Sequence, residues 1–311
     1  MNLINLKIIF PACILFTLTG VIQAQQNTAG DLAGKYFGEV PPGMTAKLFA
    51  KGIVSSDSLE HSSPAISPDG KTIIWTVIYR YKPAFLLESK NQNAVWTDPS
   101  PPSFSYPGAD DFYPSFSADG KTLYFSSRRP MPPGYPPTSD MRIWIVNKTA
   151  RGWGQAVPFD TTVSRGEEYA HSVSKNGSIY FSFRRDGGRT FDIAFSKKIK
   201  TGYTKPQPLP AGVNTTYYED GPFIAPDESY LIFESGRPEG IEGSIDLYIC
   251  FRQKDGTWTN PKNMGPKINT KFAERFAKVS PDGKYLFFGS NKGGDLFDIY
   301  WISAKIIDDL K

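Results

Sequence analysis

Five copies of one phrase recur along this 311-residue chain: an alternating strand, a tight turn such as Ser-Pro-Asp-Gly or Ser-Ala-Asp-Gly, and a second apolar strand. They read SPAISPDGKTIIW from Ser63, YPSFSADGKTLYF from Tyr113, AHSVSKNGSIYF from Ala170, GPFIAPDESYLIF from Gly221 and FAKVSPDGKYLFF from Phe276. The turn residues Asp69, Asp119, Asn176, Asp227 and Asp282 lie 50, 57, 51 and 55 residues apart. A period of this size marks one supersecondary unit copied along the chain, and such a unit cannot bury its apolar face alone. Because the repeat spans nearly the whole length, one closed domain is expected rather than two ordinary ones.

Each unit can be followed past its turn. In the second, a third strand follows at MRIWIV (141–146), then a Gly-Trp turn and a short outer segment; the fourth reads the same way through IDLYICF and PKNMGPKIN. Four strands per unit is the content of a propeller blade. Aromatics make up 14% of the chain, with 28 Gly and 26 Pro, and no stretch keeps a helical period, so the fold is expected to be all-β. Asp-Gly and Asn176-Gly177 suit two-residue hairpins, whereas Asp227-Glu228 predicts another turn type in the fourth unit. The fifth unit ends after its third strand, FDIYWISAKII, and the segment GMTAKLFAKGIVSS (43–56) resembles the missing outer strand. The expected fold is a single closed β-propeller of four-stranded blades, five in number (six as the alternative), with the N-terminal strand completing the last blade and removing a free edge.

The SPDGK turn, the FSS strand end and the DIY third strand resemble the WD-like propeller repeat of TolB-type exported bacterial proteins, over roughly residues 35–311. That resemblance implies a periplasmic or surface-exposed β-propeller, usually a binding platform, and is silent on ligand. Arg142 departs from the pattern, standing where three other units have Asp192, Asp246 and Asp298.

The beginning of the chain differs from the rest. Lys7 precedes the apolar run IIFPACILFTLTGVI, which ends in IQA at Ala24. This predicts a secretory signal peptide over 1–24, a short leader over 25–34 and the propeller domain over 35–311. Cys13 lies inside the apolar run rather than at its end, which argues against a lipid anchor. The expected location is periplasmic or secreted, with no membrane span once the signal is removed. Cys250 is then the one cysteine left, so no internal disulfide is expected. The chain has 35 Lys+Arg against 31 Asp+Glu, a formal charge of +4, and no basic run longer than a pair; nucleic acid is not an expected partner.

Aligning the units on the turn exposes a column eight residues earlier: His61, Asp111, Glu168, Glu219 and Glu274. All five open the innermost strand, so a ring would crowd them at one mouth of a central channel. A second column, Arg80, Arg129, Arg185, Arg237 and Lys292, returns to the same face on the second strand. Clustered carboxylates could bind a cation or the basic groups of a peptide, or could pair with the arginines and clamp the blades together. Asp110, Glu167, Asp220, Arg128, Arg184 and Arg275 flank these columns and are not explained by pairing. With the columns they form the candidate binding mouth, aided by the loops 130–137 and 236–244.

Asp192, Asp246 and Asp298 read as caps on loop backbone, and Trp96, Trp153 and Trp258, with Tyr203, as packing between outer strands. His171 falls in the innermost-strand column held elsewhere by Pro64, Pro114 and Pro222, and reads as packed or channel-lining. No G-x-S-x-G elbow, phosphate loop or zinc spacing is present, and no cofactor or metal is called for. The functional expectation is a binding module for a protein, peptide or envelope glycan, of unspecified oligomeric state. The rival is a glycoside hydrolase or lyase using carboxylates such as Asp111, Glu168 and Glu274.

Overall fold

The computed structural model describes residues 34–56, 58–60, 62–79, 82–184, 190–241, 244–294 and 296–311. They form five small antiparallel blade sheets, one per sequence repeat, and a two-stranded ribbon, Lys198–Ile199 with Gly202–Tyr203, at the outer end of the third. In the second to fifth blades the inner strands are Asp111–Phe116, Glu168–Val173, Glu219–Ile224 and Glu274–Val279; in the first, Leu59–Glu60 and Ala65–Ile66 both pair with the second strand, Thr72–Ile78. The expected five-bladed β-propeller is the observed fold.

Alternation along each second strand builds the ring. In the first blade Ile74 packs with Leu123 and Phe125 of the second, while its neighbours Ile73 and Trp75 pack with Phe287 and Trp301 of the fifth. Tyr124 likewise packs forward onto the third blade, Tyr180 onto the fourth and Ile232 onto the fifth. Phe287 points forward from the fifth blade to the first. Successive side chains of a strand face opposite sides of its sheet, so each blade feeds two interblade cores. Five such cores around five blades close the circle.

The seam is made as the sequence predicts. Lys47–Leu48 is the outer strand of the fifth blade, pairing Lys47 with Trp301 and Leu48 with Tyr300. Ser55 then binds Ile299 twice, its hydroxyl 3.2 Å from the carbonyl and 3.0 Å from the N–H. Phe37 fills the seam against Trp96, Phe49 and Trp75. A strand of two residues alone would be marginal; the apolar seam under it supplies the stability.

Two expectations about the turns are corrected. The hairpins are not two-residue loops. Gly70 donates its N–H to Ser67 and Thr72 pairs back to Ser67, so a turn with Pro68 and Asp69 at its corners is followed by a single left-handed glycine, φ 68°. Proline at the first corner suits this turn, and its fixed φ would be wrong for a two-residue type I′ loop. Nor does the fourth hairpin differ: Glu228 takes φ 60° where the others have glycine. Its carboxylate is held by Ser174 at 3.0 Å and Asn176 at 3.1 Å on the third blade, which offsets the strain of a side chain there.

A candidate binding mouth on the ring

Because inner strands start, and second strands end, at the same end of the ring, both sequence columns meet there. The carboxylate column is sealed. Asp111 is 2% exposed, Glu168 3%, and Glu219 and Glu274 are fully buried. The three glutamates are each spent on the loop that enters their blade. Glu219 accepts from the N–H of Thr215 at 2.9 Å and from its hydroxyl at 2.6 Å, and Glu274 treats Thr270 identically at 2.7 and 2.8 Å. Glu168 accepts from Ser164, at 2.9 Å, and from the N–H groups of Arg165 and Gly166. Burial pushes the Glu168 carboxyl up to about 7, against the opposing pull of those donors and of Arg142; burial also raises Asp111 and Glu274.

The arginine column completes these clamps unevenly. Arg129 donates to both oxygens of Asp111 at 2.9 Å and to the carbonyl of Phe104, with its guanidinium 4.6 Å from the Phe125 ring centre. Arg237 joins Glu219, 3.4 Å away, to the carbonyls of Gly212 and Val213. Glu168 takes its cation from the departing residue Arg142, at 3.5 Å. Lys292 lies over the Tyr300 ring, 3.8 Å from its centre. His61, Arg80 and Arg185 lie outside the described residues. The hydrolase rival needs open carboxylates, and Asp111, Glu168 and Glu274 are enclosed by their own loops.

One residue away, the chemistry changes. Asp110, Glu167, Arg128 and Arg184 are a quarter to a third exposed at the side chain and link the second and third blades. Arg184 lies 2.6 Å from Glu167. Arg128 is 3.9 Å from both Asp110 and Glu167, beyond hydrogen-bond reach of either. Both guanidinium groups converge on the Tyr169 hydroxyl, Arg184 at 2.8 Å and Arg128 at 3.5 Å. Tyr169 meets Phe191 edge-on at 4.7 Å, and Phe191 meets Tyr218 at 5.6 Å. The Arg184 guanidinium stands 5.7 and 5.5 Å from the Tyr169 and Phe191 ring centres. An arc of half-buried rings and cations therefore lines this part of the mouth.

Asp220 and Arg275 belong to a deeper knot between the fourth and fifth blades. Arg275 donates to Glu234 at 2.9 and 2.7 Å and to the Tyr218 hydroxyl at 2.5 Å. Tyr218 in turn donates to Asp220 at 2.6 Å, and Asp220 accepts from Ser182 of the third blade. Glu234 is fully buried, which raises its carboxyl, and its second oxygen accepts the N–H of Phe276. The knot ties three blades together.

The axis behind the mouth is filled. Tyr113, Ala170 and Phe276, from three blades, form an apolar plug, and Tyr113 and Phe276 reach it with left-handed backbone at bulges in their strands. Below it, Lys278 donates to the carbonyl of Pro114 across the ring. His171 is buried and desolvation lowers it to about 4; its Nδ1 lies 3.2 Å from Ser126. A cavity of about 310 Å³ lies at the opposite end, between the turns at Asp69 and Asp282 and Tyr36. Among the described residues no three His, Cys, Asp or Glu side chains are grouped to hold a metal ion.

Other sequence readings find their places. Asp246 caps the N–H of Ile241 at 2.6 Å and accepts from Asn263. Trp96 packs on Phe37, Trp153 on Phe104, and Tyr203 on Phe159. Cys250 is buried, which pushes its thiol up to about 12. Tyr169, Tyr218 and Glu234 are the residues sequence reasoning missed. Glu234 had a signal: it is a carboxylate where aligned second strands carry Thr76, Ser126 and Gly289. A second missed signal is the loop pattern at Ser164, Asn214 and Asn269, whose side chains bind the N–H that opens the preceding blade's third strand.

Fold and site together define a five-bladed β-propeller with a polar-aromatic mouth, the architecture of TolB-like propeller structures. The putative TolB from Agrobacterium tumefaciens superposes with a TM-score of 0.50 at 20% identity, over 78% of this chain and 76% of that one. A protein of unknown function from Dyadobacter fermentans gives 0.50 at 15% identity, over 85% and 83%. TolB from Acinetobacter baumannii gives 0.42 at 17% identity, with 65% of this chain spanning 45% of that one. No protein-family model and no curated protein matches the chain.

Proposed function

We propose that the chain is a binding module that holds a polypeptide segment of a partner protein over the mouth built by Tyr169, Arg128, Arg184, Asp110 and Glu167. The observation that carries this reading is the contrast in exposure. The recurring carboxylates are sealed, while charges one residue away are part-exposed, unevenly paired and set among aromatic rings. Such rings give contact area at low entropic cost and arginines give directed donors, a combination enriched where proteins bind proteins. Mixed charge also favours a polypeptide over a uniformly acidic glycan, which Asp110 and Glu167 would repel. The leader expected over residues 1–24, outside the described residues, would place the module and its partner in the periplasm or outside the cell. No helix among the described residues is long and apolar enough to cross a membrane.

Panning the purified chain against a displayed random-decapeptide library tests the reading. Selected peptides should lose binding to Tyr169→Ala and keep it for Lys71→Ala, at the cavity on the opposite end. Selection of no peptide, or of peptides sensitive only to Lys71→Ala, would reject the mouth as the site.

A further inference from the structure

We infer that the mouth recognises a carboxylate of the bound segment, gripped between Arg128 and Arg184. This rests on the peptide-binding reading and specifies its chemistry. The two guanidinium groups approach one atom, the Tyr169 hydroxyl, so they border a common space. Their pairing is incomplete. Glu167 serves both, yet only Arg184 holds it closely, at 2.6 Å against 3.9 Å for Arg128. Asp110 turns one oxygen to the N–H of Ala84, at 2.9 Å, and stays 3.9 Å from Arg128. One Arg128 nitrogen is fixed by the carbonyl of Ser139 at 2.7 Å, which orients the planar group without neutralising it.

An oriented guanidinium whose carboxylate neighbours stand beyond hydrogen-bond reach is a ready donor for a third carboxylate, which it can take bidentately. Arg129 is the internal control. With both Asp111 oxygens at 2.9 Å it is saturated and only 6% exposed, whereas Arg128, next to it in sequence, is 34% exposed at the side chain. The Tyr169 and Phe191 rings beside Arg184 hold the second cation in place, and its side chain stays 35% exposed. Asp110 and Glu167 then flank the carboxylate and select against a second acidic group close by.

The experiment uses one mouth-binding decapeptide and measures its affinity by calorimetry in four forms: native, C-terminally amidated, with Asp and Glu replaced by Asn and Gln, and both. Removing the recognised carboxylate should weaken binding to the wild type by roughly 10-fold or more, as expected for a charge-assisted pair. The same change should cost little in Arg128→Gln/Arg184→Gln, so that the two losses are not additive. The amidated and the side-chain-neutralised forms tell a C-terminal carboxylate from an acidic side chain. Arg128→Lys and Arg184→Lys keep charge and fold and should still lose several-fold through the missing fork. Equal affinity of all four peptides for the wild type, with binding still lost in Tyr169→Ala, would overturn the carboxylate grip while leaving the peptide site standing. Preference for polygalacturonate over every peptide would overturn both.

Discussion

Two neighbouring rings of charge at one end of this propeller differ in almost every physical respect. The inner one, Asp111, Glu168, Glu219 and Glu274, is buried and recurs in four blades; its three glutamates are tied to the loop two to four residues upstream, and Asp111 to Arg129. The outer one, Asp110, Arg128, Glu167 and Arg184, is part-exposed, confined to two blades, and unevenly paired: Arg184 holds Glu167 at 2.6 Å, Arg128 stands 3.9 Å from both carboxylates. Recurrence reports what every blade needs in order to join the next. Departure from recurrence reports what one sector of the ring is free to do.

The largest expected effect lies in the inner ring. Glu219→Ala strips four acceptor contacts from half-buried Thr215 and buried Ser235 and Arg237. It should cost about 3–5 kcal/mol, because a buried guanidinium is left without its carboxylate. Urea unfolding measures this, and a loss under 1 kcal/mol would remove the distinction between the rings.

A medium effect is tied to pH. The Glu168 carboxyl sits near 7 when folded, above its ordinary value of 4.5, because of burial. The folded state therefore binds that proton more tightly, and its contribution improves as pH falls from about 7 to 4.5. Wild type should gain roughly 1–3 kcal/mol on Glu168→Gln between pH 7.5 and 5 in paired unfolding curves. His171 works in the opposite sense. Lowered to about 4, it contributes stability above 6.5 that is lost as pH falls towards 4. The difference between wild type and Glu168→Gln isolates the first from the second; a difference independent of pH would show that Glu168 is not held as described.

The smallest effect belongs to the outer ring. Arg184→Gln removes a part-exposed pair and should change stability by no more than about 1 kcal/mol. A larger loss in thermal unfolding would move Arg184 into the structural set.

Most of the architecture was legible in the sequence, since Tyr124 between Leu123 and Phe125 already shows which side chains face the two neighbouring blades. The seam was legible too, because a missing outer strand at one terminus and a spare strand near the other complement each other. The fourth hairpin was not. Glu228 takes glycine's backbone conformation only because Ser174 and Asn176 of another blade hold its carboxylate, and a local propensity rule does not see that. In the mouth, the carboxylate column was visible but its burial was not, because Thr215 and Thr270 wrap over it through loop geometry. Tyr169 and Tyr218 were missed for a related reason: their partners Arg128 and Arg275 lie on adjacent blades, so nothing in their local sequence announces them.

Measuring stability and peptide affinity together on Glu274→Gln and Arg184→Gln tests the division most directly. The account predicts that Glu274→Gln lowers the unfolding midpoint while the folded protein binds a selected decapeptide as wild type does, and that Arg184→Gln does the reverse. A Glu274→Gln protein of unchanged stability with lost binding would contradict it.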